Sequence, residues 1–301
     1  MDEQQNIPRF DTDAEYRADP GYNWSRMKAG LTDGLYEGTH TSLAHLRHVL
    51  TRTVQRKDTP AFAFGRLVHT VILEPHLVAD TYLVTQETDK RRKPYKEDKA
   101  RAEEMGLEIV TQSDMDKAQA MASSVGRNLA WALQSKGATV EVGMAVHDPL
   151  HNLRLKGKYD MLTRDGIMVD LKTTDSLRRR DLERAIATYG YHIQQALYWR
   201  ILRMAYPEYR EFPTRMAWMF VCKSAPHECV WVSASESMVE AAVHLCDELL
   251  ANVGHALASE AWPPLHPTGE MMVDLPRWAM PDLSTQIDPL PPTLLEVSKS
   301  L

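Results

Sequence analysis

From Ser42 to Val54 the apolar positions of SLAHLRHVLTRTV recur every three or four residues, the spacing of one helical face. The same period runs through Pro60–Leu73, where Pro60 suits a first helical turn and Pro75 sets the end. Asp89–Gly106 is densely charged and reads as a mobile loop or an exposed helix. Ser113 is the expected cap of a long helix ending near Ser135, with Gly137 as its stop. The period then changes to two. Thr139–His147, Leu153–Thr163 and Ile167–Lys172 read as strands, the last two joined through the hairpin dipeptide Asp165-Gly166. A helix returns from Leu177 to Ala205, weakened at Gly190 and ended before Pro207. Strands over Thr214–Cys222 and Cys229–Ser233 and a helix from Glu236 to Leu257 complete the pattern. Residues 1–40 are polar and expected to be irregular with short helices. This succession predicts one mixed α/β domain over residues 1–260, a helical segment first, and a Pro-rich tail over 261–301 packing on its surface through Trp262 and Trp278.

A chain of 301 residues can bury one substantial core or two small ones. No run approaches the roughly 18 apolar residues of a membrane span. The acidic start MDEQQNIPRFDTDAEY has no apolar stretch of the kind a secretory leader needs, so the expectation is a cytoplasmic protein with no membrane partner. Cys222, Cys229 and Cys246 form no CxxC pair and are expected to be core thiols rather than a disulfide framework, zinc site or iron–sulfur site. A net charge of −6 speaks, by itself, against a polyanion binder. Distribution changes that picture, because basic residues gather in Lys90–Arg101 and Arg178–Arg184. Arg92, Lys93 and Lys96 in the first group, and Arg178, Arg179 and Arg180 near a helix start in the second, are candidate DNA contacts. A solvated charge run is the ordinary alternative for both.

The most informative segment is Lys156–Thr174, KGKYDMLTRDGIMVDLKTT. Alternation on a strand puts Asp170 and Lys172 on one face. If Thr163 pairs with Ile167, Asp160 lies directly opposite Asp170, and a slip of one residue keeps it in that neighbourhood. Carboxylates facing each other at roughly 5 Å between Cβ atoms repel, so they need a cation, a shared proton or a positive side chain. Lys172 supplies one charge; a divalent ion held by hard oxygen ligands would supply the rest. A lysine beside such an ion can orient or deprotonate a water and offset charge on phosphate oxygens. Charges often alternate on solvated strands, but Ile167, Met168, Val169 and Leu171 mark this strand as buried, where charge needs a reason.

A carboxylate, then D-x-K on the next strand, then a helix with Q-x-x-x-Y is the order found in the RecB-like branch of the PD-(D/E)XK nucleases. Here these are Asp160, Asp170-Leu171-Lys172 and YHIQQALY, which sets Gln194 and Tyr198 four apart on one helical face. Upstream, AFAFGRLVHTVILEP resembles the G-x-x-x-H helix of the RecE (exodeoxyribonuclease VIII) group, carried here by Gly65 and His69. YNWSRMK around Ser25, DKRRKPYK and WPP…LPRWA also look like phage members of that group, so the resemblance spans most of the chain.

The resemblance implies an α/β PD-(D/E)XK fold, a central mixed sheet flanked by helices. It implies Mg²⁺, with Mn²⁺ as substitute, held by His69, Asp160, Asp170 and the backbone carbonyl of Leu171; Glu141, on the strand before the hairpin, is either an added carboxylate or an exposed strand residue. Asp160, Asp170, Lys172, Gln194 and Tyr198 would be catalytic, and Tyr191 a further DNA contact. His69 by itself would be an ordinary hydrogen-bonded core histidine, with Gly65 one turn earlier permitting close approach of a backbone or ligand. Ser25 is expected to cap a helix or touch phosphate. The implied activity is digestion of double-stranded DNA from its ends, 5′ to 3′, by a homo-oligomeric ring that leaves single strands for an annealing protein and recombination. The alternatives are a structure-specific or restriction-type endonuclease and a catalytically inactive DNA-binding protein.

Overall fold

In the computed structural model, which describes residues 9–10, 12–28, 42–51, 59–266 and 268–280, the chain opens with strand β1 (Arg9–Phe10) and helices α1 (Asp13–Ala18) and α2 (Trp24–Met27). Thr12 and Glu15 form a capping box on α1, and the Asn23 side chain accepts from Arg26 N to cap α2. Ser25 is therefore not a cap; it lies inside α2 and is exposed, while Trp24 and Met27 are buried. Helices α3 (Leu43–Thr51) and α4 (Pro60–Leu73) follow the apolar periods. The end expected for α3 at Val54 lies outside the described residues. Thr59 accepts from Phe62 N at the start of α4, where Pro60 has no N–H to strand.

Next come α5 (Val78–Thr81), β2 (Tyr82–Thr85), α6 (Lys93–Met105) and β3 (Glu108–Thr111). The charged stretch is thus a helix rather than a mobile loop, ended by Gly106 in the left-handed region at φ 71°. It buries Tyr95 and Ala102, and its Asp98 accepts from Thr85 on β2 at 2.6 Å. Strands β2 and β3 pair in parallel as a separate two-stranded sheet that the sequence pattern did not reveal; four residues are too few to show alternation. The single helix expected from Ser113 is two, α7 (Gln112–Arg127) and α8 (Leu129–Gln134). Thr111 caps the first, and Asn128 leaves helical geometry at ψ 121° to cap the second through its side chain.

Strands β4 (Thr139–Asp148), β5 (Leu153–Leu162) and β6 (Met168–Thr174) are followed by α9 (Arg179–Tyr189) and α10 (Tyr191–Ala205), divided at Gly190 by its φ of 65°. Strands β7 (Met216–Cys222) and β8 (Cys229–Ser233) and helix α11 (Glu236–Ser259) complete the larger unit, Met1–Leu265. The main sheet runs β1-β4-β5-β6-β7-β8. Its one parallel pair, β6 with β7, needs the α9–α10 crossover; the other ladders are antiparallel. In the second unit, His266–Leu301, the described residues include a 3₁₀ turn over Arg277–Ala279. Trp262 packs against the core of the first unit, whereas Trp278 is 88 % exposed. Among the described residues no helix is long and apolar enough to cross a membrane.

Helices cover both faces of the sheet. Trp199, Trp218, Phe220 and Met168 fill one core with residues of α2, α3, α10 and α11. Leu67 and Val68 of α4 and Met115 and Met121 of α7 fill the other with Val169, Leu171 and Met219. Strand β6 is buried on both sides, which is why its sequence is a nearly unbroken apolar run.

The ribbon β4–β5 changes face partway along. Val140 and Met161 pack into the second core, whereas Val142 and Tyr159, two residues away, pack into the first. Residues two apart on a regular strand share a face, so both strands turn over between them, at Glu141 and Asp160. Glu141 sits at φ 52°, and the ladder skips this pair between Val140↔Met161 and Val142↔Tyr159. Farther along β5, a Cβ on Gly157 would lie 2.7 Å from Tyr198 Cδ1 of α10. We expect Gly157→Ala to cost about 1–3 kcal/mol by overpacking, measured as a lower denaturant midpoint at unchanged slope; wild-type stability would show that Tyr198 is not held by this contact.

Candidate active site

Strand β5 pairs with β6 through Leu162↔Met168 and Met161↔Val169, in the register that Thr163 and Ile167 begin. The ladder then stops. Where Asp160 would face Asp170, β5 diverges, and the Asp160 carboxylate takes over as acceptor: Leu171 N donates to Oδ2 at 2.7 Å. A side chain thus satisfies a buried backbone donor that the missing strand partner leaves behind.

Helix α4 lays His69 across this notch. Its Nε2 lies 2.8 Å from the Leu171 carbonyl oxygen, and its Nδ1 is 3.7 Å from both Glu141 Oε1 and Asp160 Oδ2. Ligand atoms of His69, Glu141 and Asp160 lie within 4.8 Å of one another. Asp170 stands beside this group, committed to Lys172, whose Nζ is 2.6 Å from Oδ2 in an ion pair that makes no hydrogen bond of regular geometry. On the other side Lys158 Nζ meets Glu141 Oε2 at 2.6 Å. The sequence reading did not single out Lys158; its signal lies in the β4–β5 register, which puts it diagonal to Glu141.

Three carboxylates therefore face two lysine amines and one imidazole. Burial pushes the His69 imidazolium down, but Asp160 and Glu141 outweigh it and hold its pKa at about 9. Burial, helped by Asp170 and Glu141, pushes Asp160 up to about 7 against the pull of His69 and Lys172. For Glu141 burial raises the pKa, and His69 and Lys158 more than reverse it. Burial likewise opposes the charged form of Lys172, yet Asp170 and Asp160 raise its pKa, so near neutrality it is an ammonium that can donate and stabilise negative charge.

The donor set fits a divalent cation. Two carboxylates and an imidazole converge, and the imidazolium charge stands where a cation's charge would otherwise be needed. His69, Glu141 and Asp160 would be the ligands. The Leu171 carbonyl and Asp170, the other expected ligands, stand beside them, the first in contact with His69 and the second with Lys172.

The other candidates lie around this centre. Gln194 Nε2 donates to Tyr198 Oη at 2.8 Å; burial raises the Tyr198 pKa well above its ordinary value, with Tyr16, Asp170 and Asp160 adding to the rise. Lys172 Nζ lies 4.9 Å from the centre of the Tyr191 ring, whose pKa burial pushes to about 12. Among the described residues, no atom outside the neighbouring turns of α4 lies within 4 Å of where a Cβ on Gly65 would sit. Arg92 pairs with Glu87, Lys93 with Glu97, Arg179 with Glu183 and Arg180 with Asp181. Lys96 is exposed on α6, and Arg178 is the residue preceding α9. None of these basic residues makes a described contact with the His69–Glu141–Asp160 group. All three cysteines are free, and Cys246 is buried.

A family described as "PDDEXK-like domain of unknown function (DUF3799)" matches residues 34–270. No curated protein is significantly similar in sequence. Among solved structures, a protein from Eubacterium rectale provisionally named an exonuclease superposes with a TM-score of 0.58 at 15% identity, covering 88% of this chain and 95% of its own. That likeness establishes the fold. A second structure, SSO0001, at TM-score 0.24 and 15% identity, covers 62% of this chain and 84% of its own, too distant to carry an argument.

A cation entering the site must displace the His69 proton. At pH 8 binding of Mn²⁺ or Mg²⁺ should release about one proton, read by calorimetry in buffers of different ionisation enthalpy, and the release should vanish as pH passes about 9. Without metal, the raised imidazole contributes stability that is complete below its ordinary 6.5 and fades through about 9, so the melting difference from His69→Gln should shrink over that window. A difference independent of pH would contradict the placement of His69 between the two carboxylates.

Proposed function

Because this chain belongs to the PDDEXK-like domain family (DUF3799), we propose that it is a metal-dependent deoxyribonuclease that degrades double-stranded DNA from its ends. The observation that carries the reading is the gathering of His69, Glu141 and Asp160 at the point where β5 leaves β6, beside the Asp170–Lys172 pair. That combination provides a cation site and a fixed ammonium next to it, the two requirements for hydrolysing a phosphodiester dianion-like transition state.

Each residue has a role set by its contacts. Asp160 and Glu141 furnish oxygen ligands; Lys158 orients Glu141, and the Leu171 N–H orients Asp160. Lys172, held by Asp170, offsets charge on the phosphate oxygens. The Tyr198 hydroxyl, held by Gln194 and kept protonated, can donate to phosphate but cannot act as a base. A divalent ion, Mg²⁺ with Mn²⁺ as substitute, supplies Lewis acidity when bound. The two carboxylates suit either ion, and the imidazole is the softer donor of the set.

Exonuclease rather than endonuclease action, 5′ to 3′ polarity, a homo-oligomeric ring and a single-strand annealing partner in recombination are supported by the resemblance of YNWSRMK, AFAFGRLVHTVILEP and DKRRKPYK to the RecE group. Asp160→Asn and Lys172→Ala should each lower DNA hydrolysis by about 10²–10⁴-fold while leaving circular dichroism unchanged. End-labelled linear duplex should be degraded with Mg²⁺ and spared with chelator, and covalently closed circles should survive. A cut circle would favour an endonuclease. Intact linear DNA under all conditions would leave a binding protein without nuclease activity.

A further inference from the structure

Beside the Asp170–Lys172 pair lie two aromatic rings. Tyr191 opens α10 and is half-buried, with Lys172 Nζ 4.9 Å from its ring centre. Tyr189 closes α9; its ring centroid lies 5.5 Å from that of Tyr191 at an interplanar angle of 31°. Gly190, at φ 65°, produces this pairing. It ends one helix in the left-handed region and starts the next, so residues 189 and 191 do not diverge as they would along one continuous helix. The inner ring is taken up by the lysine and by its neighbour. Tyr189 is 56 % exposed.

We infer that Tyr189 is a base-stacking residue: the unpaired nucleobase next to the phosphate under attack packs on its ring, with Tyr191 as the backing that fixes the ring's tilt. This rests on the nuclease reading above. The sequence of contacts Asp170–Lys172–Tyr191–Tyr189 spans a lysine-to-ring step of 4.9 Å and a ring-to-ring step of 5.5 Å. Those two steps bound the separation of the ammonium and the outer ring, and a nucleotide whose phosphate lay at the ammonium could bring its base to that ring. An aromatic face accepts any base, because every base has a π-surface. The subsite therefore selects single-stranded or frayed nucleic acid over paired bases and shows little sequence preference. It also shifts the aromatic DNA contact from Tyr191, expected from the motif, to the residue two positions earlier.

The test separates stacking from catalysis. A single-stranded oligonucleotide with 2-aminopurine at its terminal position is titrated with the full chain in EDTA, where no cutting occurs. Stacking on Tyr189 should quench the fluorophore, and Tyr189→Ala should raise the dissociation constant by about 5- to 150-fold and abolish the quench. Tyr189→Phe and Tyr189→Trp should restore both, which a general packing defect would not allow. With Mg²⁺, the ratio of kcat/KM for thymidine 5′-(p-nitrophenyl phosphate) to that for methyl p-nitrophenyl phosphate should fall by a similar factor in Tyr189→Ala. An unchanged ratio, an alanine variant that still quenches, or a phenylalanine variant that behaves like alanine overturns the assignment. A wild-type chain that quenches but hydrolyses nothing would sink the nuclease reading and leave the stacking site standing.

Discussion

The site depends on one backbone N–H. Leu171 is fully buried on β6, and when β5 peels away its amide has no strand partner. Leaving such a donor unpaired costs about 1–3 kcal/mol, and the Asp160 carboxylate accepts from it instead. That substitution holds an acid at the split between two strands, where the low polarity that penalises its charge also strengthens its attraction to His69 and Lys172. The raised imidazole and, together with Asp170, the raised lysine are responses to that placement.

The turn-over of the β4–β5 ribbon is the companion constraint. A flat continuation would carry Glu141 on the face set by strict alternation. With Glu141 at φ 52°, the chain rotates there and aims the carboxylate at the notch. A non-glycine residue in that region is strained by about 1–3 kcal/mol, and the ion pair with Lys158 helps to offset the strain. Strained backbone and buried charge coincide at this point, the pattern expected where structure is spent on chemistry rather than stability.

Much of this was legible in the sequence for identifiable reasons. Strand β6 declared itself because four apolar residues surround Asp170 and Lys172, and Asp165-Gly166 fixed the register that placed Asp160 near them. The helices of His69, Gln194 and Tyr198 followed from 3.6-residue periods. What stayed hidden was non-local or too short to be periodic. The rotation at Glu141 breaks the very alternation on which strand reading relies. Lys158 became meaningful only across a ladder. The β2–β3 sheet is too brief to leave a pattern, and Asn128 and Gly190 divided helices that periodicity alone runs together.

Helix α6 shows why counting basic residues misleads. Lys93, Lys99 and Arg101 pair with acids of the same helix, and Arg91 and Arg92 pair with Asp89 and Glu87 just before it. Such exposed pairs contribute little to stability, about 0–1 kcal/mol each, and they leave the helix little net positive charge with which to replace the cations condensed on a polyanion. A polyanion meeting this helix would have to take most of its cations from carboxylates, which then stay behind as repelling neighbours. Association through α6 would therefore gain little from the entropy of released counterions that usually drives phosphate binding, and its ionic-strength dependence would be shallower than the number of lysines and arginines suggests.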